Sequence, residues 1–241
     1  MNLVAIETAT ETVGVAVQTE RDVRAEFRLT GQRHHVESLA PALEHCLAQV
    51  GMDVGDLRAV VVDLGPGLFT GLRVGVAAAK GLAQAVGIGV IGFTSLDVLF
   101  RAAADRGHAG PVLAAVDARR GEVFAALRDL TGGEEVLPPA RFTPAELVAA
   151  LQECGGAPIL AVGDGAQRYA EAIGVVPHVT CVTGALAFPP PATMLTMAEE
   201  HLATGAIAVD PALVVPIYMR EADAVSNFRQ VVRANPPVTS A

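Results

Sequence analysis

The stretch from Asp63 to Lys80 constrains the fold of this chain more than any other part of its sequence. The β-branched run Leu57–Leu64 predicts a buried strand that leads into it. Gly65-Pro66-Gly67 then ends the strand, because glycine tolerates a positive φ and proline lacks a backbone N–H donor. Thr70 is the expected N-cap of a helix from about Gly71 to Val86. This pattern predicts a strand, a sharp turn and a closely docked helix.

Small residues line one face of this predicted helix. Gly71, Gly75 and Ala79 recur every four residues, so they share a face that another backbone can approach closely. One interpretation is close packing of the helix on its own sheet, and the other is a protein interface. The second gains support from larger apolar residues that spread beyond a single stripe: Leu72, Val74, Val76, Leu82 and Val86. Both interpretations stay open at this point.

The composition argues against several classes of protein. The chain has 241 residues, enough for one large domain or two smaller ones, and it is 51% hydrophobic. Its formal net charge of −9 argues against direct binding of nucleic acid, which needs a basic surface. Arg119-Arg120 is the densest basic spot, and two adjacent arginines are typical of an ordinary surface turn. If the protein acts on a nucleic acid, we expect a partner to hold it.

Cysteine usage and uncharged segments indicate a cytoplasmic protein without membrane contact. Cys46, Cys154 and Cys181 lie far apart and outside any CxxC, so neither a disulfide framework nor a zinc site is expected. The uncharged run Ile173–Ala198 is interrupted by four prolines and cannot form a spanning helix. The N-terminus shows neither the basic segment nor the cleavage site of a signal peptide.

The pattern along the chain predicts two α/β units. The first opens with three short strands in an antiparallel meander, followed by a helix, the strand and helix described above, another strand and a last helix. Apart from that central strand and helix, its predicted elements are Leu3–Ile6, Thr12–Gln18, Val23–Leu29, His35–Val50, Val90–Phe93 and a helix capped by Ser95 that runs to about Arg106. The polar, glycine-rich stretch Arg106–Pro111 marks the expected boundary.

The second unit repeats this order in reduced form. A hairpin, a loop that contains Pro138-Pro139, a helix, a strand and two further helices follow one another. These elements are Val112–Val116, Glu122–Arg128, Pro144–Glu153, Ile159–Val162, Ala166–Ile173 and Ala192–Thr204. We therefore expect one lobe over residues 1–106, a second over 107–190, a segment 191–220 that packs back on the first, and a mobile tail over 221–241.

Three turns are candidate ligand sites. Gly163-Asp164-Gly165 follows a strand and precedes a helix, as a phosphate site requires, but lacks the Lys-Ser/Thr of a P-loop. Glu7-Thr8-Ala9-Thr10-Glu11 offers an acid for a metal-bound phosphate, although Glu11 would repel the anion. Gly87–Gly92 matches GxGxxG, yet it follows a helix and enters a strand, the reverse of a dinucleotide fingerprint. The favoured interpretation is a structural turn for the first two and a helix C-cap followed by a strand for Gly87–Gly92.

The sequence contains no recognisable catalytic or metal-binding set. His34 and His35 are adjacent at a predicted helix start and point in different directions, so they are not expected to share a metal. His45 and Cys46 are also helix neighbours that seldom face each other. None of the four serines lies in a GxSxG elbow. We predict neither a catalytic residue nor a metal site in this chain.

The central glycine-rich segment also carries a family resemblance. Gly65–Gly75 reads GPGLFTGLRVG and resembles the GPGSFTGLRIG signature of the TsaB (YeaZ-type) family, a subunit of the bacterial tRNA threonylcarbamoyladenosine machinery. Glu7 replaces an Asp of the family pattern, Leu68 replaces a Ser, and His35-Val36-Glu37 replaces His-Ser-Glu. Further matches run in register over nearly the whole chain: Glu7–Thr10, Ala78–Leu82, Thr94–Leu96, Asp117–Val123, Gly163–Ala166 and Pro216–Arg220.

The resemblance implies an α/β, actin-like and sugar-kinase-like (ASKHA) fold of two related lobes, with mixed sheets flanked by helices. It also implies a non-catalytic role. In this family the paralogous subunit TsaD carries the transferase site and a metal held by an HxxxH pair, and the ATPase subunit TsaE joins the two. The present chain has no HxxxH pair. We therefore expect no cofactor on this chain, ATP and metal on the partner subunits, and tRNA contact only through the complex.

The resemblance further implies a dimer interface on two helices of the first lobe. These helices correspond to His35–Val50 and Gly71–Val86, and a homodimer is expected to use the same surface when the partner is absent. The residues expected at the interface are Leu39, Leu43, Leu47, Gly71, Leu72, Gly75, Ala78, Ala79 and Leu82.

An enzymatic function is the alternative. A nucleotide-dependent phosphotransferase or ATPase of the same fold would use Glu7, Gly163 and Gly165, which together with Thr8 form a possible vestigial nucleotide site. A peptidase function rests only on an older name of the family and has no support among the residues.

Overall fold

The structure, a computed structural model, describes residues 1–22, 24–31 and 35–219. Within these ranges the chain forms two five-stranded sheets with helices on their faces. Sheet 1 contains β1 (Leu3–Glu7), β2 (Thr12–Gln18), β3 (Arg24–Thr30), β4 (Ala59–Asp63) and β5 (Gly89–Phe93). Sheet 2 contains β6 (Pro111–Arg119), β7 (Glu122–Asp129), β8 (Glu134–Phe142), β9 (Ile159–Val162) and β10 (Val179–Cys181).

Seven α-helices lie in the described part of the chain. They are α1 (His35–Val50), α2 (Phe69–Val86), α3 (Ser95–Ala104), α4 (Pro144–Glu153), α5 (Asp164–Arg168), α6 (Ala170–Ile173) and α7 (Pro191–Ala203). Short 3₁₀ turns cover Val54–Asp56, Gly184–Leu186 and Pro211–Leu213.

The two sheets have the same strand order. Sheet 1 runs β3-β2-β1-β4-β5 and sheet 2 runs β8-β7-β6-β9-β10. In each sheet the first three strands are antiparallel and the last three are parallel. A helix follows the third strand in both halves, and another follows the fourth. This duplicated arrangement of two mixed sheets flanked by helices confirms the predicted two-lobed ASKHA fold.

Sheet 1 is covered on both faces because its central strands are apolar throughout. Side chains alternate along β1, so Val4 and Ile6 pack in a core with α1 and α2. Leu3 and Ala5 point to the other face, where they pack with Met194 of α7. Buried strands of this kind read as continuous apolar runs, and β4 (AVVVD) does so as well.

Helix α3 lies between the two sheets. Its Leu99 and Phe100 pack with Val112 and Ala114 of β6. Val98 lies in the core that α7 forms with sheet 1. The predicted division at residue 106 stays a prediction, and the predicted tail, residues 221–241, lies outside the described residues.

Two helices were predicted with both ends correct, α1 and α4. In α4 the apolar spacing coincides with a capping box, in which Thr143 Oγ1 accepts from Glu146 N at 3.3 Å and Glu146 Oε2 accepts from Thr143 N at 2.7 Å. Periodicity and cap chemistry therefore mark the same boundary.

Several boundaries differ from prediction. Thr70 is not an N-cap, because α2 begins at Phe69 after Leu68 and its start has no side-chain cap. Thr94 rather than Ser95 caps α3, with Thr94 Oγ1 accepting from Asp97 N at 3.0 Å. The predicted loop around Pro138-Pro139 lies inside β8, an edge strand, where proline removes no essential ladder bond.

Two elements late in the chain also differ. The single helix predicted over Ala166–Ile173 is two short helices, α5 and α6, that meet at Tyr169. The three-residue strand β10 was not predicted, because it is too short for an alternating pattern.

Candidate functional site

The turn after β1 contacts the start of α2 directly. Leu68 N donates to Ala9 O at 2.6 Å, and Thr8 Oγ1 donates to Gly71 O at 2.8 Å. A Cβ at Gly71 would overlap Thr8 O, and a Cβ at Gly75 would overlap Thr8 Oγ1. The glycines of the central segment therefore let the helix pack against this turn without intervening side chains.

This contact decides between the two interpretations of the small-residue stripe. Gly71, Gly75 and Ala79 are buried inside the first lobe, and Ala79 belongs to its core. Against the expectation that they lie at a protein interface, the structure places them on the inner face of α2. A larger residue there would disturb the fold before it reached a partner.

The other residues expected at the interface also point largely inward. Leu39, Leu47 and Leu72 are buried. The remaining three are half-buried and pack against the same core: Leu43, Ala78 and Leu82. Their role at an interface stays a prediction, and at most the half-buried edge of each helix is accessible.

The outward side of α2 carries a second small-residue stripe that the sequence analysis missed. Ala77, Gly81 and Ala85 are exposed at four-residue spacing, and a Cβ added at Gly81 would meet nothing within 4 Å. Both stripes have the same spacing, so periodicity alone does not say which one faces the sheet. Contact with Thr8, more than sixty residues away, decides it.

A pair of buried carboxyl groups lies at the ends of β1 and β4. Glu7 Oε1 accepts from Thr10 N and Thr10 Oγ1, both at 3.0 Å. Asp63 Oδ1 accepts from Gly65 N and Ser95 Oγ, both at 2.7 Å. The second oxygens, Glu7 Oε2 and Asp63 Oδ2, are buried without a hydrogen-bond partner in the described structure.

Burial makes the charged forms of these carboxyl groups costly. It raises the pKa of Glu7 well above its usual range, and the negative charge of Asp63 raises it further. Burial also raises the pKa of Asp63 to about 7. Burial favours the neutral form of each carboxyl group. A neutral carboxyl group needs fewer hydrogen-bond donors than a carboxylate, which explains why the second oxygens can be buried without a partner.

The cleft between the lobes is bridged by an ion pair. Arg119, the last residue of β6, forms an ion pair with Glu11 in the turn between β1 and β2. Asp117 is buried and lies within 3.2 Å of Arg119 Nη1 and within 3.5 Å of Arg168 Nε. Tyr169 OH donates to Asp117 Oδ1 at 3.4 Å. The charged groups of the cleft thus pair with one another.

The predicted phosphate turn Gly163-Asp164-Gly165 packs against β6. A Cβ at Gly163 would overlap Ala115 O, and one at Gly165 would lie 2.7 Å from a methyl group of Val123. Asp164 Oδ1 accepts from the backbone N–H of Asp117 at 3.0 Å, and burial raises the pKa of Asp164 to about 7. The glycines of this turn therefore serve close packing of the turn on β6 and β7.

The cleft residues therefore fit a bound nucleotide poorly. Thr8 uses its hydroxyl on Gly71 O, and Glu7 contributes a carboxyl group beside Asp63. Glu11 already pairs with Arg119 across the cleft. A polyphosphate would have to break that pair and approach several acidic side chains.

Other candidate groups have structural partners. Ser95 Oγ lies within hydrogen-bond distance of Asp63 Oδ1 (2.7 Å) and of Pro66 O (3.0 Å), and Cys46 Sγ donates to Val15 O at 3.6 Å. His35 Nε2 lies 2.8 Å from Thr10 O, and His34 lies outside the described residues. Across the described ranges no group of three or more His, Cys, Asp or Glu is placed to hold a metal ion, and no helix is long and apolar enough to cross a membrane.

Comparison with known proteins shows which family this chain belongs to. The chain is 34% identical over 226 residues to the tRNA threonylcarbamoyladenosine biosynthesis protein TsaB of Escherichia coli, covering 91% of this chain and 95% of the relative. The TsaB of Bacillus subtilis is 32% identical over 232 residues, covering 95% and 98% of the two chains. The chain belongs to the TsaB (YeaZ-type) family.

Two further comparisons agree with this membership. The profile of the TsaD family, described as tRNA N6-adenosine threonylcarbamoyltransferase, matches residues 28–228. A crystal structure from Pseudomonas aeruginosa, described as an uncharacterized protein with similarity to peptidase YEAZ, superposes with a TM-score of 0.76 at 29% identity, covering 91% of this chain and 99% of that one. This chain is therefore also related in sequence to the TsaD transferase.

Proposed function

We propose that this TsaB-family chain is a non-catalytic subunit that binds and stabilises a TsaD-type transferase for N6-threonylcarbamoylation of adenosine 37 in tRNA. Membership of the family ties the chain to threonylcarbamoyladenosine biosynthesis. The observation that carries the scaffold role is the outward stripe of α2, where Ala77, Gly81 and Ala85 are exposed together.

An exposed stripe of this kind suits contact with another helix. Side chains of one or no carbon at four-residue spacing form a shallow groove, and ridges of a facing helix fit into such grooves. The small side chains allow a short interaxial distance, and glycine exposes the backbone itself. Helix α1 lies beside α2, so a partner with two equivalent helices would form a four-helix contact.

The residues between the two lobes support a chain that leaves nucleotide and metal binding to other subunits. The glycines among them pack on β6 and Arg119 pairs with Glu11, which supports nucleotide and metal chemistry on the partner subunits, TsaD-type and TsaE-type. The net charge of −9 argues against direct binding of tRNA by this chain, so we expect tRNA to be contacted through the complex. We place this complex in the cytoplasm. When no partner is present, the same face of α2 would form a homodimer.

A substitution at Gly81 tests this proposal. Gly81→Arg fills the outward groove, and because arginine has a higher helix propensity than glycine, the helix itself should gain about 0.5–1 kcal/mol. We expect the folded variant to lose co-elution with the TsaD-type subunit in size-exclusion chromatography. Ala149→Arg, at an exposed position of α4 in the second lobe, is the matched control and should co-elute normally.

A separate measurement of folding shows whether a loss of co-elution by the Gly81→Arg variant reflects a lost interface or an unfolded chain. Thermal unfolding should show both variants at least as stable as the wild-type chain. A folded Gly81→Arg variant that co-elutes with the TsaD-type subunit as fully as wild type would refute the assignment of this face.

A further inference from the structure

The segment that follows α7 presents an apolar row on the surface. Within residues 207–217, Ala208 and Val214 are directed toward the lobe, whereas five large aliphatic side chains are exposed: Ile207, Val209, Leu213, Val215 and Ile217. Leu213 is 72% exposed and Val215 is 64% exposed, values unusual for large aliphatic side chains placed close together. We define the apolar ridge as Leu213, Val215, Ile217 and Tyr218.

The ridge is held firmly against the first lobe. Val209 forms an antiparallel bridge with Val90 of β5, with hydrogen bonds of 2.9 Å in both directions. Lys80 Nζ, on α2, donates to Val214 O at 3.0 Å and to Ala212 O at 3.3 Å. Ile217 N donates to Leu64 O at 2.7 Å. An ordered backbone lets exposed apolar side chains bind a partner at a lower entropic cost.

An arginine joins the ridge to the outward face of α2. The guanidinium of Arg73 lies 3.8 Å from the centre of the Phe69 ring, and Nε donates to Tyr218 OH at 3.1 Å. No carboxylate within the described ranges forms an ion pair with Arg73. Arg73 is exposed and one helical turn from Ala77, so the two surfaces are continuous. Arginine and tyrosine ordered in this way are typical anchors of protein interfaces.

We propose that the apolar ridge and Arg73 form the second half of the surface that binds the TsaD-type subunit. This inference rests on the function proposed above. The outward stripe of α2 offers mainly small side chains, which allow close approach but bury little apolar area. Large anchors must lie beside it, and the ridge supplies them. The partner should therefore present aliphatic side chains to the ridge and a carboxylate to Arg73.

Titration calorimetry of the full chain against the TsaD-type subunit tests the ridge separately from α2. The double variant Leu213→Asp/Val215→Asp places charges on exposed positions, and Arg73→Glu reverses the anchoring charge. We expect each variant to raise the dissociation constant for the TsaD-type subunit at least tenfold. Val175→Asp, at a 62% exposed aliphatic residue of the second lobe, is the control and should bind like wild type.

The outcomes separate this inference from the proposed function. If wild type binds and Gly81→Arg does not, but the folded ridge variants bind as wild type, the ridge assignment is overturned and the proposed function stands. Failure of the wild-type chain to bind the TsaD-type subunit overturns both. Ridge variants that lose only self-association of the isolated chain would show that a second copy covers the ridge, which also overturns the inference.

Discussion

At the scale of single residues, the glycines of α2 fall into two groups with opposite demands. Gly71 and Gly75 face Thr8, where any Cβ overlaps the β1–β2 turn. Gly81 faces outward, with no neighbouring atom within 4 Å of an added Cβ. The same residue type is thus needed for packing on one side of the helix and dispensable for folding on the other.

Substitution by alanine should separate these groups. Gly81→Ala should raise the free energy of unfolding by about 0.5–1 kcal/mol, because it restores helix propensity without a clash. Gly71→Ala should lower it by about 1–3 kcal/mol or more, because the backbone of Thr8 must move to admit a methyl group. Urea unfolding monitored by circular dichroism measures both, and equal effects of the two substitutions would contradict the assignment of inner and outer faces.

The sequence did not show which face of α2 is buried against the sheet. Periodicity established α1 and α2 and the existence of a small-residue stripe on α2. It did not identify which of two equally spaced stripes was buried, because that depends on the Thr8 hydroxyl reaching Gly71 O across 63 positions of sequence. Long-range contacts of this kind leave no local pattern.

At the scale of elements, the parallel pairing of β1 with β4 places two acids side by side. Ile6 pairs with Val62 in the register, so Glu7 and Asp63 follow at the same edge of sheet 1. Their burial raises both pKa values, that of Asp63 to about 7. Asp164, the first residue of α5 in the second lobe, also has a raised pKa of about 7, mainly because it is buried.

These raised pKa values predict that stability falls as pH increases. In the unfolded chain Asp63 and Asp164 lose their protons near the ordinary value of 3.8, whereas the folded chain retains them up to about 7. The folded state therefore binds more protons across this window, and the free energy of unfolding decreases with pH until both forms are ionised. We expect the free energy of unfolding to be a few kcal/mol lower at about pH 8 than at about pH 5. In urea unfolding this difference appears as a lower midpoint concentration at the higher pH.

Asp63→Asn should reduce this pH dependence, because an amide at this position does not titrate. The control Glu171→Gln, at an exposed position of α6, should leave it unchanged. An identical slope of stability with pH in wild type and Asp63→Asn would show that Asp63 does not carry a raised pKa.

Elements were predicted well where one local signal dominated. Proline at the first helical position marked α4, an alternating pattern marked β2, and apolar runs marked β1, β4 and β9. β8 was missed because Pro138-Pro139 is typical of a loop, and only its place at the edge of sheet 2 makes proline acceptable. The apolar ridge was also missed, because an apolar segment does not show in sequence which of its side chains lack a neighbour in the fold.

At the scale of the whole molecule, the fold is a duplicated α/β unit whose two halves are joined by an ion pair. The ion pair joins the end of β6, at Arg119, to the β1–β2 turn, at Glu11, across 108 positions of sequence. The family resemblance predicted both lobes and their sheets, but this bridge depends on how the two halves meet. It supports a cleft that fastens the lobes together rather than one that binds polyphosphate.

The central claim is that the ligand of this chain is a protein and not a nucleotide. Calorimetric titration of the isolated wild-type chain, first with magnesium-ATP and then with the TsaD-type subunit, tests it most directly. We expect no binding heat from ATP and a saturable 1:1 binding heat from the TsaD-type subunit. Saturable ATP binding by the isolated chain, together with no heat from the TsaD-type subunit, would contradict the account and favour a nucleotide-dependent enzyme.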